Sequence, residues 1–478
     1  MTNAFFSDLM TSIAERGRNL LDRRNWTVTD APAAAPEVMA SCEALLSVRG
    51  EASGAVIARK ALDGYVRLPE AGKADFFESL ARDFGPDRAL LAQAIAAYSR
   101  NPDAAAASNL HYLTEPRRQE LFRRMNRAPG GAKDLVAMRA DLLNLFRGNP
   151  DLAQVDSDFL HLFVSWFNPG FLVLRHIDWG TPANILEKII RYEAVHQIRD
   201  WDELRRRIDP QDRRCYAFFH PAMIDEPLIF VEVALTGSIP DNVQKLLAPD
   251  RDLEAPEKFR TAVFYSISNC QEGLAGVSFG NFLIKRVVEE LRRELPRLEQ
   301  FVTLSPVPGF MKWLTKANDL PAERWDPKLL DVLRAPDWID APEKTENLRQ
   351  TLEPLAAHYF LKVKNASDRP LDPVARFHLG NGARLERINW LGDRSDKGLR
   401  ESATIMVNYL YDLDEIERNH DAFANKGEIV AANSVKKMLR GESRSLFSRQ
   451  TTKIRSELVE PDGIEPTTSS MPLKRSPN

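Results

Sequence analysis

The sequence predicts an α+β chain: an all-helical region over residues 1–168, a mixed-sheet region over 169–440 and a tail without structure over 441–478. Three observations carry this expectation. Apolar residues before Trp166 recur at helical spacing, short runs rich in Val, Ile, Phe and Tyr occur beyond Pro169–Gly170, and periodicity fades after Arg440. With 44% of its 478 residues hydrophobic, the chain has apolar side chains enough for more than one core.

Met1 to Arg24 reads as an amphipathic helix with Phe5, Phe6, Leu9, Met10 and Ile13 on one face. Its acidic residues Asp8, Glu15 and Asp22 speak against a secretory leader, so a cytoplasmic protein is expected. No apolar run approaches the roughly 18 residues of a membrane span. Breakers at Ala31–Pro36, Gly85–Pro86, Asn101–Pro102, Ala128–Gly131 and Gly148–Pro150 cut the first region into helices of ordinary length. In one of them Leu135, Met138, Leu142 and Leu145 form an apolar stripe, with Arg139 and Asp141 on another face.

Farther on, Tyr216–His220, Pro227–Leu235, Thr261–Ser268 and Phe301–Leu304 are strand candidates bounded by turn residues. Between the last two, Phe282–Leu295 is a helix striped by Leu283, Val287, Leu291 and Leu295. Pro321–Lys364 returns to helix. From Phe377, FHLGNGARLERINW reads as turn and strand, with Asn381–Gly382 as the turn. From Glu460 the chain has almost nothing to bury, and disorder is expected.

Lys and Arg number 65 against 68 Asp and Glu, so bulk charge points to no nucleic-acid partner. Cys42, Cys215 and Cys270 lie far apart, which predicts neither a disulfide framework nor a zinc site, only free thiols.

YSISNCQEGLAGVSFGNFLIKRVV, over residues 265–288, runs from a strand through Gly273, Gly276 and Gly280 into a helix. Glycines admit a ligand close to the backbone, and the first turn of a helix offers unpaired N–H groups at a positive dipole end. That combination suits phosphate oxygens. It equally suits a tight turn with Ser278 or Asn281 as N-cap. The spacing is neither GxGxxG nor a P-loop.

QEGLAGVSFGNFLIKRVVEELRRELP, FVTLSPVPGFMKWL and DPVARFHLGNGARLERINW resemble the malonyl-CoA decarboxylase family, as do HPAMIDEPLIFVEVALTG, RRCYAFF and GGAKDLVAMRADLL. The likeness runs over roughly residues 130 to 412. It implies a helical oligomerisation domain (1–168), forming a dimer or tetramer, and a catalytic domain of acetyltransferase-like (GNAT) fold (169–440). The partners it implies are malonyl-CoA and acetyl-CoA, with no metal and no organic cofactor. It also implies that Ala275, Gly276, Val277, Ser278, Phe279, Gly280 and Asn281 cradle the diphosphate of coenzyme A. Some relatives have glutamate where this chain has Ser278, so no carboxylate role carries over there.

Decarboxylating a malonyl thioester calls for stabilising an enolate and delivering a proton to carbon. Histidine suits the second task, with an ordinary pKa of about 6.5. Each of the eight histidines taken singly reads as structural. His378 differs by standing beside a Gly-Asn-Gly turn that would expose it, and the resemblance makes it the proton donor to the enolate and, before that, the group that polarises the thioester carbonyl. Ser305, in LSPVPGF, reads alone as a turn serine. The resemblance has it hold the malonyl carboxylate or a neighbouring proton relay. Tyr411 reads alone as a half-buried tyrosine with a wet hydroxyl, and by resemblance as a residue that supports the site by hydrogen bonding.

Glu226 in Asp225-Glu226-Pro227 begins a strand and offers a carboxylate base, but Asp-Glu-Pro before a strand is ordinary turn chemistry. Arg117, Arg118, Arg123, Arg124 and Arg127, interspersed with Glu115 and Glu120, read as a solvated face or a subunit contact. Of Lys285, Arg286, Arg292 and Arg293, one or two are expected to meet phosphates. Two other readings compete: an N-acyltransferase of the same fold, and a non-catalytic acyl-CoA-binding scaffold.

Overall fold

A computed structural model describes residues 33–146, 149–277, 279, 282–316, 326–334 and 336–440. The amphipathic N-terminal helix and the disordered tail lie outside these residues. Helices come first: α1 Ala35–Ser47, α2 Glu51–Val66, α3 Glu70–Asp83, α4 Arg88–Arg100, α5 Ala104–Thr114, α6 Arg117–Met125, α7 Gly131–Phe146 and α8 Ala153–Trp166. They break where glycine and proline break them. Past Gly85–Pro86 and Asn101–Pro102, the Asp87 and Asp103 carboxylates accept the Leu90 and Ala106 amides at 3.0 and 2.7 Å. Such N-caps are worth about 1 kcal/mol each.

On α7 the stripe Leu135, Met138 and Leu142 is buried, as its spacing predicts. Arg139, expected on another face, is only 2% exposed. The arginine-rich α6 also departs from a purely solvated face. Arg118 is buried and ion-paired to Asp158, because the periodicity of α6 turns it toward α8. Arg124 donates to the Leu45, Leu46 and Val48 carbonyls at 2.8, 2.8 and 3.0 Å, closing the C-terminus of α1.

The strands and helices beyond are β1 Val173–Ile177, α9 Ala183–Tyr192, α10 Trp201–Ile208, β2 Arg213–Phe219, β3 Pro227–Thr236, α11 Val243–Leu247, β4 Thr261–Asn269, α12 Phe282–Glu294, β5 Gln300–Thr303 and β6 Ser305–Pro306. After them come α13 Phe310–Leu314, α14 Leu329–Arg334, α15 Pro342–Lys362, α16 Pro373–Gly380, β7 Arg384–Asn389, α17 Asp396–Ser402, β8 Met406–Leu410, α18 Ile416–Lys426 and α19 Asn433–Arg440. Among the described residues the chain is thus helical to Trp166 and mixed-sheet beyond. β2 starts earlier than its apolar run because Arg213 is buried, its charge paired with Asp212 at 2.7 Å. None of the described helices is long and apolar enough to cross a membrane.

Two compact units divide the chain: residues up to Ser238 with Asp252–Phe301, and Ile239–Arg251 with the residues from Val302 on. In the first, β1, β2, β3 and β4 pair in succession, each antiparallel to the next. β3 is buried along PLIFVEVAL, as a continuous apolar run predicts for a strand covered on both faces. In the second unit β8 pairs antiparallel with β5, β6 and β7, and a parallel bridge joins Leu385 to Ala431. Asn408 of β8 locks this sheet from within, donating to the Thr303 carbonyl at 2.8 Å and accepting from Asn389 at 2.8 Å.

Candidate active site and the glycine loop

α16 carries the site's histidine. The expectation of turn and strand from Phe377 is corrected here: Phe377 and His378 are helical, and the strand begins at Arg384. Asp372 caps the helix, its carboxylate accepting the Ala375 amide at 2.8 Å, and Pro373 occupies the first turn, where its missing N–H costs nothing. Asn381–Gly382 ends the helix. Gly382 has φ +80°, and a Cβ there would come within 2.3 Å of the Ile416 carbonyl oxygen, so only glycine fits.

The helix points His378 inward rather than exposing it, and 4% of the residue remains accessible. Its Nε2 lies 3.2 Å from Ser305 Oγ, and its Nδ1 lies 2.8 Å from the Tyr411 hydroxyl. Ser305 Oγ donates in turn to Thr303 Oγ1 at 2.8 Å. The Tyr409 ring stacks on the imidazole at 4.7 Å with 25° between planes. β6 aligns Ser305 with Val407, while Tyr409 ends near the same ring that Tyr411 meets just past β8. Alternation along Asn408-Tyr409-Leu410-Tyr411 places both tyrosines on one face. Tyr411 is 2% exposed, so its hydroxyl is not wet. Ser305, which alone reads as a turn serine, is instead a buried link between two side chains.

Burial sets the charge states. It pushes the His378 pKa down to about 3, well below the near-neutral range expected of it, and so favours a neutral ring at physiological pH. Burial likewise pushes the Tyr411 phenol well above its ordinary range, opposed in part by a hydrogen bond from Asn381. Because Asn381 donates to the Tyr411 oxygen, the phenol proton is directed at Nδ1. The Tyr411, Nε2 and Ser305 hydrogens each then have an acceptor when Tyr411 O–H donates to Nδ1, Nε2–H donates to Ser305 and Ser305 O–H donates to Thr303.

This has a consequence for acid stability. Unfolded, His378 takes a proton near pH 6.5, whereas the folded ring resists protonation down to about 3. The unfolded chain therefore binds more protons in that window, and stability falls with pH by up to about 1.4 kcal/mol per unit. His378→Asn removes this effect. Melting curves at pH 7 and pH 5 should show the wild type losing more than the variant, and parallel losses would contradict a neutral buried ring.

The glycine loop belongs to the first unit. Of its expected residues, Ala275, Gly276, Val277 and Phe279 are described, while Ser278, Gly280 and Asn281 lie outside the described residues. The Ala275 and Val277 amides donate to the Glu272 and Leu274 carbonyls, both at 3.0 Å, and so close turns rather than facing a ligand. Gly276 has φ +83°, a conformation that L side chains rarely adopt, and it is exposed. The loop leads from β4 into α12, as its strand–loop–helix pattern predicts.

Glu226 is no free base. Burial pushes its carboxyl up, but Lys133 at 2.6 Å and Lys188 at 2.9 Å outweigh this and hold it below the usual carboxylate range. Cys42, Cys215 and Cys270 are free and buried, and burial pushes each thiol up, Cys42 to about 12, which suppresses thiolate chemistry. Thr303 and Tyr409 join the site without having been singled out in the sequence, and Asn381, read there only as a turn residue, joins it as well. For Tyr409 the signal was available in the alternation with Tyr411.

A family model described as the malonyl-CoA decarboxylase C-terminal domain matches residues 170–449, and one described as the malonyl-CoA decarboxylase N-terminal domain matches residues 84–167. The chain is 36% identical over 409 residues to the mitochondrial malonyl-CoA decarboxylase of Anser anser anser, covering 78% of this chain and 81% of that protein. Among solved structures, malonyl-CoA decarboxylase from Rhodopseudomonas palustris matches at 55% identity and a TM-score of 0.81, covering 85% of this chain and 100% of that one. The enzyme from Agrobacterium vitis matches at 53% identity and a TM-score of 0.81, covering 84% and 99%.

Proposed function

We propose, from the premise that the chain belongs to the malonyl-CoA decarboxylase family, a reaction in which malonyl-CoA and a proton give acetyl-CoA and carbon dioxide through a thioester enolate. The enzyme is a carboxy-lyase. The thioester carbonyl takes up the electron pair left by carbon dioxide, so the reaction draws on no metal and no organic cofactor. The observation that carries the proposal for its residues is the buried chain Tyr411–His378–Ser305, with 2.8 and 3.2 Å between its members.

In this reading Ser305 turns its hydroxyl from Thr303 to the malonyl carboxylate and holds it for loss. The surroundings favour that loss, because a carboxylate brought among buried side chains gives up its water while uncharged carbon dioxide does not need it. His378 then gives its Nε2 proton to the new carbanion. As Nε2 loses its proton, Nδ1 accepts the one from Tyr411, so the ring is not left anionic. A solvent proton restores the phenol. The seven-residue stretch from Ala275 to Asn281 is assigned to the coenzyme A diphosphate, with the exposed Gly276 among the residues supplying amides.

Incubation with carboxyl-labelled malonyl-CoA tests the reaction. Labelled carbon dioxide and an equal amount of acetyl-CoA are expected. Transfer of the acyl group to an amine, or binding without gas release, would overturn it. Ser305→Ala should lower kcat by about 10-fold to 10²-fold, in the range of a well-placed hydrogen-bonding group. Unchanged turnover would return the residue to a turn role.

A further inference from the structure

Arg139 has no place in the chemistry above, and its position on α7 within GGAKDLVAMRADLL sets it on a face apart from the apolar stripe. It is instead buried against the glycine loop. Its Nη1 donates to the Gly273 carbonyl at 2.8 Å and to the Ala275 carbonyl at 2.7 Å, while Nε donates to Asp156 of α8 at 2.8 Å. The loop also lies directly on these helices. A Cβ at Gly273 would sit 1.8 Å from the Val136 carbonyl oxygen of α7, and one at Gly276 would sit 3.6 Å from Leu160 of α8. A guanidinium keeps its charge and its planar fork under all ordinary conditions, which suits it to fix two carbonyls of one turn at once.

A trans peptide points its C=O and N–H in opposite directions. Drawing the Ala275 oxygen toward Arg139 therefore turns the Gly276 N–H away from the guanidinium, on an exposed residue. We propose that Arg139, held by Asp156, is a positioning residue for the nucleotide end of the substrate: through the Gly273 and Ala275 carbonyls it aims the Gly276 amide at the diphosphate. The helical region thereby sets substrate affinity as well as any assembly. This rests on the assignment of the loop to the diphosphate, and two kinds of variant separate the claims.

The experiment compares malonyl-CoA with malonyl-pantetheine, which carries the same reacting group without the diphosphate. Arg139→Lys keeps the charge but loses the fork. It should raise KM for malonyl-CoA about tenfold with kcat within about twofold, and leave kcat/KM for malonyl-pantetheine unchanged. Asp156→Asn, which frees the guanidinium to swing, should show the same pattern at about threefold and serves if Arg139→Lys fails to fold. Equal losses on both substrates, or no loss on either, would overturn the role of Arg139. Ala275→Asp places a carboxylate on the exposed loop itself. If it weakens malonyl-CoA alone while the Arg139 and Asp156 variants behave as wild type, the loop assignment stands and only the positioning role falls. If Ala275→Asp has no effect, the loop assignment falls and the positioning role with it.

Discussion

His378→Ala should lower kcat by at least about 10², the usual contribution of a well-placed acid, while affinity for acetyl-CoA is retained. The variant removes the atom that delivers the proton and the one group joining Tyr411 to Ser305. It also opens a cavity beneath the stacked Tyr409 ring and leaves the Tyr411 phenol short of an acceptor, so a lower melting temperature accompanies the loss. Retained acetyl-CoA binding separates lost chemistry from lost fold. Normal turnover in a folded variant would remove His378 from the reaction.

The second large effect is expected from Tyr411→Phe, which takes away one oxygen and changes little in volume. Without the phenol, Nδ1 loses the donor that fixes the tautomer. The neutral ring is then free to carry its proton on Nδ1, and Ser305 turns to donate to a bare Nε2. An imidazole in that form has no proton where the carbanion needs one. A fall in kcat of about 10-fold to 10²-fold is expected, with KM for malonyl-CoA little changed, because the phenol is not proposed to bind substrate. Loss confined to KM would show that the hydroxyl binds substrate instead, and wild-type kinetics would leave Tyr411 as packing.

The strands were legible where burial on both faces leaves no ambiguity. PLIFVEVAL and TAVFYSIS became β3 and β4, extended by one residue at the C-terminal end of each run. Less legible was α16, where Asn381–Gly382 drew attention to a turn. The stronger local signal lay upstream, in Asp372 as N-cap and Pro373 in the first turn. Burial of Arg118 and Arg139 was not legible at all. Helical spacing assigns charged residues to solvent, and their partners stand far along the chain: Asp158 for one, Gly273 and Ala275 for the other. The same holds for the site. Ser305 and His378 are separated by 73 positions and Tyr411 by a further 33, so no local pattern joins them, and their roles came from family resemblance. Even then the resemblance said nothing of protonation, since a low pKa for His378 depends on burial that only the fold supplies.

Selective nitrogen labelling of histidine, followed by ring-nitrogen NMR from pH 8 to pH 4.5, reads the central feature directly. One imidazole should keep a protonated Nε2 and a bare Nδ1 across the whole range, and its signals should vanish in His378→Asn and change form in Tyr411→Phe. If the resonances that disappear with His378 instead titrate near pH 6.5, or carry the proton on Nδ1, the ring is not the neutral donor held between Tyr411 and Ser305.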